Sequence, residues 1–507
     1  LLFGNIGVAI RGNTCDNLAA MRIDLARNVH TSWHIATACW GAIGGLCFAL
    51  ITPVPACAHA AWLVAAAVLL VTAAATKRRI LLPVAFAAGL CLGLWRAAGV
   101  QGQLQAYKPF FGHTVEVAGT VAEDASIGTQ GDQRLLLANV RLAGQPAVGG
   151  VWASIGRPAD IKRGDTVVLG GQLAAGFGGV SASMYRAQFR SIIRPHPGDV
   201  ARQVRDWFAD GVRRAVREPQ ASLGLGYLTG QQSSLPQSLN DQLRTVGLTH
   251  AVVASGYNLT ILVAVARNLL AGTSKYLATL AASGMIGGFM LVTGLSPSMS
   301  RAGLVSSLSL AVWYYGRSIH PFVLLPLAAC MTALASPLYI WGDVGWYLSF
   351  AAFAGVVAVA PLLRTFLWGK AQVSTVQQII TDTFSAQLVT APIILCAFGQ
   401  FAVYALPANL LVLPFVPLAM LLTFLAGVGG LIVPGLAHLI GWPGQELLTY
   451  MTWVAGHVAA FPGARSTVHV TPVMLVVYYT LLLIAGGAVW RQTGHSFRPL
   501  PMYQTKA

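Results

Sequence analysis

The chain has 507 residues, of which 55% are apolar and only 9% charged, with a formal net charge of +16 and a mean hydropathy of +0.65. That balance excludes an ordinary soluble domain and leaves a polytopic membrane protein. Lys and Arg collect in cytoplasmic loops of such proteins, so the positive charge reflects topology first and anionic partners second.

Residues 1–32 form an N-terminal segment: the part before Met21 reads as an upstream extension, and MRIDLARNVH as a cytoplasmic start. Apolar runs at about 33–51, 60–76 and 80–100 can each cross roughly 30 Å of hydrocarbon as a helix. Arg22 and Arg27 before the first run, and Lys77, Arg78 and Arg79 between the second and third, place both flanks on the cytoplasmic side. The third helix then exits outward, and residues 101–198 lie outside the cytoplasmic membrane.

That outer segment changes character. Ten of the sixteen acids fall between Glu116 and Glu218, and TVEVAGTVAE, QRLLLANVRL, VGGVWASIG, DTVVLGGQL and MYRAQFRSII alternate with Gly, Asp and Pro turns. Five strands of this size predict a small all-β, OB-like barrel. Barrels of this kind bind oligonucleotides through cations and exposed aromatics, which nominates Trp152, Phe177, Tyr185 and Phe189 for stacking and Arg186 and Arg190 as cations. The competing reading makes the aromatics core residues and the arginines solvated. The turn Arg163, Gly164, Asp165 reads as the start of a strand.

The run DVARQVRDWFADGVRRAVRE, residues 199–218, spaces Val200, Val204, Trp207, Phe208, Val212 and Val216 for an amphipathic helix with five arginines around them. Residues 199–219 therefore either lie on the membrane surface or link barrel to bundle. Beyond Pro219, apolar runs follow at about 222–233, 246–270, 276–295, 299–316, 321–341, 344–363, 376–398, 402–432, 446–461 and 472–490, before a tail at 491–507. Pro297, Pro392, Pro407, Pro414 and Pro417 interrupt them, which predicts broken or re-entrant helices lining protein or a wet cavity. The spacings Gly226 to Gly230 and Gly284 to Gly288 suit close helix packing.

Polar groups coincide with the breaks. His250, Ser255, Gly256 and Asn258 in GLTHAVVASGYN, with Gly247, Thr249 and Thr260 nearby, either line a hydrated passage or satisfy freed backbone groups. GLSPSMSR sets Ser296 and Ser298 at a helix N-terminus, where free N–H groups suit phosphate, and Arg301 adds a cation one turn on. Arg301 is also expected to pair with Asp343 inside the bundle. Asp382, Gln387 and Asn409 are weaker candidates. The seven cysteines never form Cys-x-x-Cys, the eleven histidines are scattered and no GxxxxGK[ST] occurs, so no metal, cofactor or catalytic site is expected.

The blocks LTGQQSSL, GLTHAVVASGYN, GLSPSMSRA, GDVGWYLSF, SAQLVTAP and PANLLVLP, in this order, resemble the competence domain of the ComEC family, and GLWRA at Gly93–Ala97 before an outer barrel is similar to that family's preceding domain. The resemblance covers about 33–490 and implies a channel importing single-stranded DNA across the cytoplasmic membrane. It implies the lipid bilayer, a DNA receptor, a separate nuclease and a cytoplasmic helicase or ATPase as partners, and leaves the oligomeric state open. Many members carry histidine where this chain has Asn258, so an imidazole's role becomes an amide's. Many also continue into a metallo-beta-lactamase-like domain; this sequence holds no His-x-His-x-Asp-His run, so strand degradation is expected to need another protein or a remainder of the gene. A carrier for an anionic or lipid-linked metabolite, and an intramembrane serine hydrolase built on Ser255, His250 and Asp343, stay open as alternatives.

Overall fold

The computed structural model describes residues 30–494 except 77–80, 129–130, 157–158, 232–233, 250–255, 271, 273, 295, 317–319, 370–372 and 468–469. The chain divides into two compact units, Leu1–Val100 with Ala329–Leu334, and Gln101–Ala328 with Ala335–Ala507.

The first unit contains α1 (Thr31–Ile51), α2 (Ala60–Thr76) and most of α3 (Leu82–Gln105). Lipid offers no hydrophobic drive to bring helices together, so small residues that let backbones touch must do it. Here Gly41 and Gly45 of α1 face Gly89 and Gly93 of α3, and each pair is spaced by four. A Cβ on Gly89 would lie 1.8 Å from the Ala38 carbonyl oxygen, and one on Gly41 would lie 2.0 Å from that of Phe86. Arg96 Nε donates to the Leu334 carbonyl at 2.8 Å, satisfying an acceptor in the last turn of the helix Pro321–Ala335.

The second unit opens with the barrel. Its long strands are β1 (Thr114–Val121), β3 (Gln133–Leu142), β5 (Val151–Ile155), β6 (Thr166–Ala175) and β7 (Ala182–Ile193), while the two-residue strands β2 (Ser126–Ile127) and β4 (Gln145–Pro146) pair on β3. Closure runs β1-β3-β5-β7-β6 and back to β1, every pairing antiparallel except β5 with β7. This is the five-stranded OB-like barrel expected from the sequence. Period-2 alternation sends Val117, Leu135, Leu137, Val151, Ala153, Val167, Leu169 and Met184 inward. Tyr107, just beyond α3, joins that core and donates to the Val148 carbonyl at 2.9 Å.

Helices follow: α4 (Val200–Ala215), α5 (Gln220–Thr229), α6 (Gln237–Thr245), α7 (Gly256–Leu270), α8 (Lys275–Thr293), α9 (Pro297–Tyr314), α10 (Pro321–Ala335), α11 (Leu338–Gly342), α12 (Val344–Ala354), α13 (Ala360–Trp368), α14 (Thr375–Phe398), α15 (Ala405–Val412), α16 (Val416–Ile432), α17 (Ala437–Ala459) and α18 (Pro472–Thr493). A short ladder joins β8 (Gln400–Ala402) to β9 (Arg465–Thr467). Among the described residues seven stretches are long and apolar enough to cross a membrane, including α1, α8, Val344–Trp368, Ala405–Ile432 and α18. Breaks occur at some of the expected prolines and in one place without one, whereas Pro392 lies inside the continuous α14 and Pro407 inside the first turns of α15, where they break nothing. Pro414 sits in a 3-10 turn between α15 and α16, and Pro297 opens α9. A π-helical turn, Gly355–Val359, joins α12 to α13 with no proline inside it. Gly355 is pressed there against the Ser385 carbonyl of α14, and an added Cβ would come within 2.6 Å.

Two packing expectations change. Gly284 and Gly288 have nothing within 4 Å of an added Cβ, so that spacing joins no helices here. In α4, the apolar residues Val200, Val204 and Trp207 are 52–60% exposed, whereas Arg202 and Arg205 are buried. Only the deeper stretch packs as its pattern predicts: Phe208 stacks on Phe424, and Gly430 lies against the Gly211 carbonyl, where a Cβ would sit 2.0 Å away. The inversion follows from the ion pairs, because a guanidinium turned inward finds the carboxylates of Asp124 and Asp206.

Gly89→Val, which forces the α1 and α3 backbones apart, is expected to destabilise the protein by more than the roughly 1–3 kcal/mol typical of overpacking. Folded, protease-resistant yield in membranes reads this, with Gly284→Val as the silent control.

Candidate functional site

One edge of the barrel carries an aromatic cluster. Trp152 of β5 lies 5.3 Å from Phe177, in the β6–β7 loop, and 5.2 Å from Tyr185 of β7, measured between ring centroids. Phe177 is 49% and Tyr185 58% exposed, so these rings spread outward and are not core. Phe189 is separate from them: it lines a pocket of about 380 Å³ with Ala159, Asp160, Ile161, Ile192 and Arg194. Arg186 and Arg190 are exposed on β7. Arg186 sits at φ 49° on an irregular stretch of the β5–β7 pairing, its N–H bonded to Ser154 Oγ at 3.0 Å.

The same edge rests on the helices. Gly178 and Gly179 follow Phe177, and a Cβ on Gly342 at the end of α11 would touch Gly178 backbone at 3.2 Å. Immediately beyond lies Asp343. It caps α12 by accepting from the N–H groups of Gly345 (2.8 Å) and Trp346 (3.3 Å), and Oδ2 pairs with Arg301 Nη1 at 3.4 Å. Arg301 is 4% exposed, its Nε has no acceptor among the described residues, and its contact with Asp343 is long. Ser296 caps α9 by accepting from Met299 N–H at 3.3 Å, and its hydroxyl lies 3.2 Å from that of Ser298. Ser296, Ser298, Arg301 and Asp343 are thus assembled around the α8–α9 turn and the start of α12. Glu123, in the β1–β2 loop, is pushed above the ordinary carboxyl range by burial and further by the nearby charges of Asp124 and Asp343.

Arg163 fastens barrel to turn. It is 5% exposed, its Nε meets Asp199 at 2.6 Å, and Nη1 and Nη2 donate to the carbonyls of Val292 and Leu291 at 3.1 Å each. A cation there complements the negative end of α8 and satisfies two of its orphan acceptors. Gly294, at φ 92°, leaves the room: a Cβ would meet Arg163 Nη1 at 2.9 Å. In the sequence Arg163 reads only as part of a Gly-Asp strand entry, and nothing in that turn marks its reach to the end of α8.

His250 and Ser255 lie outside the described residues. Gly256 opens α7 with its Cα facing Ala302, one residue from Arg301, and Gly247 adopts φ 73° against Ala402 and Ala405. Asn258 is fully buried, and its Nδ2 donates to the Tyr227 carbonyl of α5 at 3.0 Å. Its Oδ1 and the Tyr227 hydroxyl both lack partners among the described residues. In this conformation the amide closes a seam between α5 and α7. Asp382 pairs with Arg364 at 2.9 Å, while Gln387 Oε1 and Asn409 Oδ1 are buried without partners. No group of three or more metal-ligating side chains occurs among the described residues.

These features define a polytopic membrane protein whose broken helices carry a docked OB-like barrel. The chain belongs to the competence protein family, whose model matches residues 227–493, over half of its length. It is 27% identical over 185 residues to ComE operon protein 3 of Bacillus subtilis (strain 168), an alignment covering 36% of this chain and 23% of that relative. No solved structure matches it.

Two carboxylates, Asp199 beside the docking Arg163 and Asp165 within the barrel, respond to acid in a defined direction. Burial alone would raise Asp199 and Asp165. The Arg163 contact and the Arg202 N–H outweigh it for Asp199, as do Arg194 and the Lys162 N–H for Asp165, so both sit below the ordinary 3.8. A carboxyl depressed by folding contributes stability above its unfolded pKa and loses it as pH falls through the folded one. Barrel docking should therefore persist until the pH drops below about 4. Arg163→Gln should weaken it by about 3 kcal/mol, the scale for breaking a buried pair, and move the acid transition upward. Protease cutting near Gly198, followed against pH, measures both.

Proposed function

We propose that this protein is a channel that imports single-stranded DNA across the cytoplasmic membrane during natural transformation, with residues 101–198 on the outer side. The observation that carries the proposal is continuity. The Trp152, Phe177 and Tyr185 rings lead through Gly178 and Gly179 onto Gly342, Asp343, Arg301 and the α8–α9 turn. Every base has a face to stack on, so an aromatic cluster grips a strand without reading its sequence. Exposed Arg186, next to Tyr185 on β7, and Arg190 further along the strand over Gly170 supply cations for the phosphates. Beyond the cluster, an under-satisfied buried guanidinium and the hydroxyls of Ser296 and Ser298 offer a polyanion the hydrogen bonds it forfeits on leaving water.

The conformation described here is closed in this reading. Asn258 is sealed against Tyr227, so passage requires α5 and α7 to part. The unpartnered Asn258 Oδ1 and Tyr227 hydroxyl lower the cost of that opening, because water entering the seam satisfies both. Membership in the competence family and the similarity to ComE operon protein 3 support the DNA-uptake role.

Two experiments bear on this. Replacing Trp152 and Tyr185 by Ala together should weaken binding of a single-stranded oligonucleotide by about 1–3 kcal/mol per lost stacked base, and the remaining affinity should still fall with salt. Arg301→Gln should abolish DNA uptake by cells in which the protein still accumulates in the membrane; full uptake would exclude Arg301 from the path. For topology, a cysteine introduced by Ser126→Cys on the exposed strand β2 should react with an impermeant thiol reagent added to intact cells. Labelling only after lysis overturns the orientation.

A further inference from the structure

The buried arginines of α4 have no part in the path described above. Arg205 is 4% exposed, and its Nη1 and Nη2 fork onto the two carboxylate oxygens of Asp124 from the β1–β2 loop, the Nη2 contact at 3.1 Å. The same guanidinium meets Asp206 Oδ1 through Nη2 at 3.0 Å and Nε at 3.2 Å. Arg202 pairs with Asp206 Oδ2 at 3.1 Å, is 8% exposed, and buries an Nε that has no acceptor. Gln231, just past α5, donates to Asp206 Oδ1 at 3.0 Å.

The ion-paired charges in this cluster are two guanidinium ions against two carboxylates, with Asp199 and Asp165 also within electrostatic reach of Arg202. Asp206 is built into α4 and shared by three donors. Asp124 arrives from another element, on a loop at the end of the barrel that in OB-like folds borders the oligonucleotide-binding face, and its side chain keeps 26% of its exposure. Remove it and the Nη1 and Nη2 fork of Arg205 loses its partner, leaving a planar pair of donors that fits a phosphate as it fits a carboxylate.

We propose that Arg202 and Arg205 form a second anion site, for the phosphodiester of a nucleic-acid strand, which Asp124 fills and blocks in this structure. A strand phosphate that displaces Asp124 takes over its two hydrogen bonds and releases the β1–β2 loop from α4. Because Gln231 shares Asp206 and follows α5, the exchange reaches the helix whose Tyr227 carbonyl holds Asn258. The site rests on the strand-binding reading for its natural ligand, and on its own geometry for its anion chemistry.

The test uses the full-length protein in detergent, with inorganic pyrophosphate and a short single-stranded oligonucleotide as separate probes. Asp124→Asn should bind pyrophosphate about tenfold more tightly than the parent protein, the gain of roughly one strong charge-assisted contact. It should also steepen the salt dependence of oligonucleotide binding by about 0.7 in log–log slope, the signature of one added phosphate contact on a single strand. Arg205→Gln placed in the Asp124→Asn background should cancel both gains, and this pair controls for a merely loosened barrel, which the second substitution would not repair. Unchanged or weaker pyrophosphate binding by a folded Asp124→Asn protein overturns the proposal and leaves the ion pair a structural tether. If pyrophosphate tightens but no variant binds the oligonucleotide, the anion site stands and the strand-import reading fails.

Discussion

A guanidinium removed from water must be given carboxylates or carbonyl oxygens, because leaving it unpaired costs several kcal/mol where the dielectric is low. That requirement organises the second unit of this protein. Arg163, Arg205 and Arg301 are each about 5% exposed or less, and each reaches across an element boundary for its partner. Arg163 ties a barrel turn to the end of α8, Arg205 ties α4 to a barrel loop, and Arg301 ties α9 to the start of α12. The barrel is therefore fixed against the helices by specific charged contacts, and its aromatic edge faces outward beside the α8–α9 turn because those contacts leave it there.

The same requirement explains what was and was not legible in the sequence. Strand segments were readable because period-2 burial is written in adjacent residues: Leu135 and Leu137 point inward between outward neighbours, and Gly or Asp marks the turns. Helix breaks at Pro297 and Pro414 were equally plain, since a missing N–H cannot be hidden. The π-helical turn at Gly355–Val359 left no such mark, because it arises from how closely Gly355 meets Ser385 on another helix. The interlocked glycines Gly41, Gly45, Gly89 and Gly93 carry the same spacing as Gly284 and Gly288, and only the fold separates the pair that touches from the pair that does not.

Among the site residues, pattern separated chemistry from context poorly. Trp152, Phe177, Tyr185 and Phe189 look alike in the sequence, yet three converge and the fourth lines a different pocket, because the β6–β7 loop folds Phe177 back over β5. Asn258 was picked out by its setting, and the structure adds that its amide is spent on a carbonyl of α5 while its oxygen is left over. The arginines of α4 carry no mark of their own in the sequence, because a guanidinium beside an apolar stripe reads the same whether solvated or buried; the fold exposes Val200, Val204 and Trp207 and buries Arg202 and Arg205 against carboxylates.

These observations meet in the seam between α5 and α7. A hydrophobic seam would be cheaper to keep shut, since burying an asparagine oxygen and a tyrosine hydroxyl without partners sacrifices hydrogen bonds that water would supply. In the proposed function this arrangement is the closed state, and its cost brings it nearer in energy to a hydrated, open one than tight apolar packing would allow. The seam is also reached from two directions, through α7 beside Ala302 and Arg301, and through α5 by way of Gln231, Asp206 and Arg205. On the proposed function, a polyanion that engages either arginine competes with a carboxylate already in place, and Asp124 and Asp343 hold the guanidinium ions in position while no strand is present.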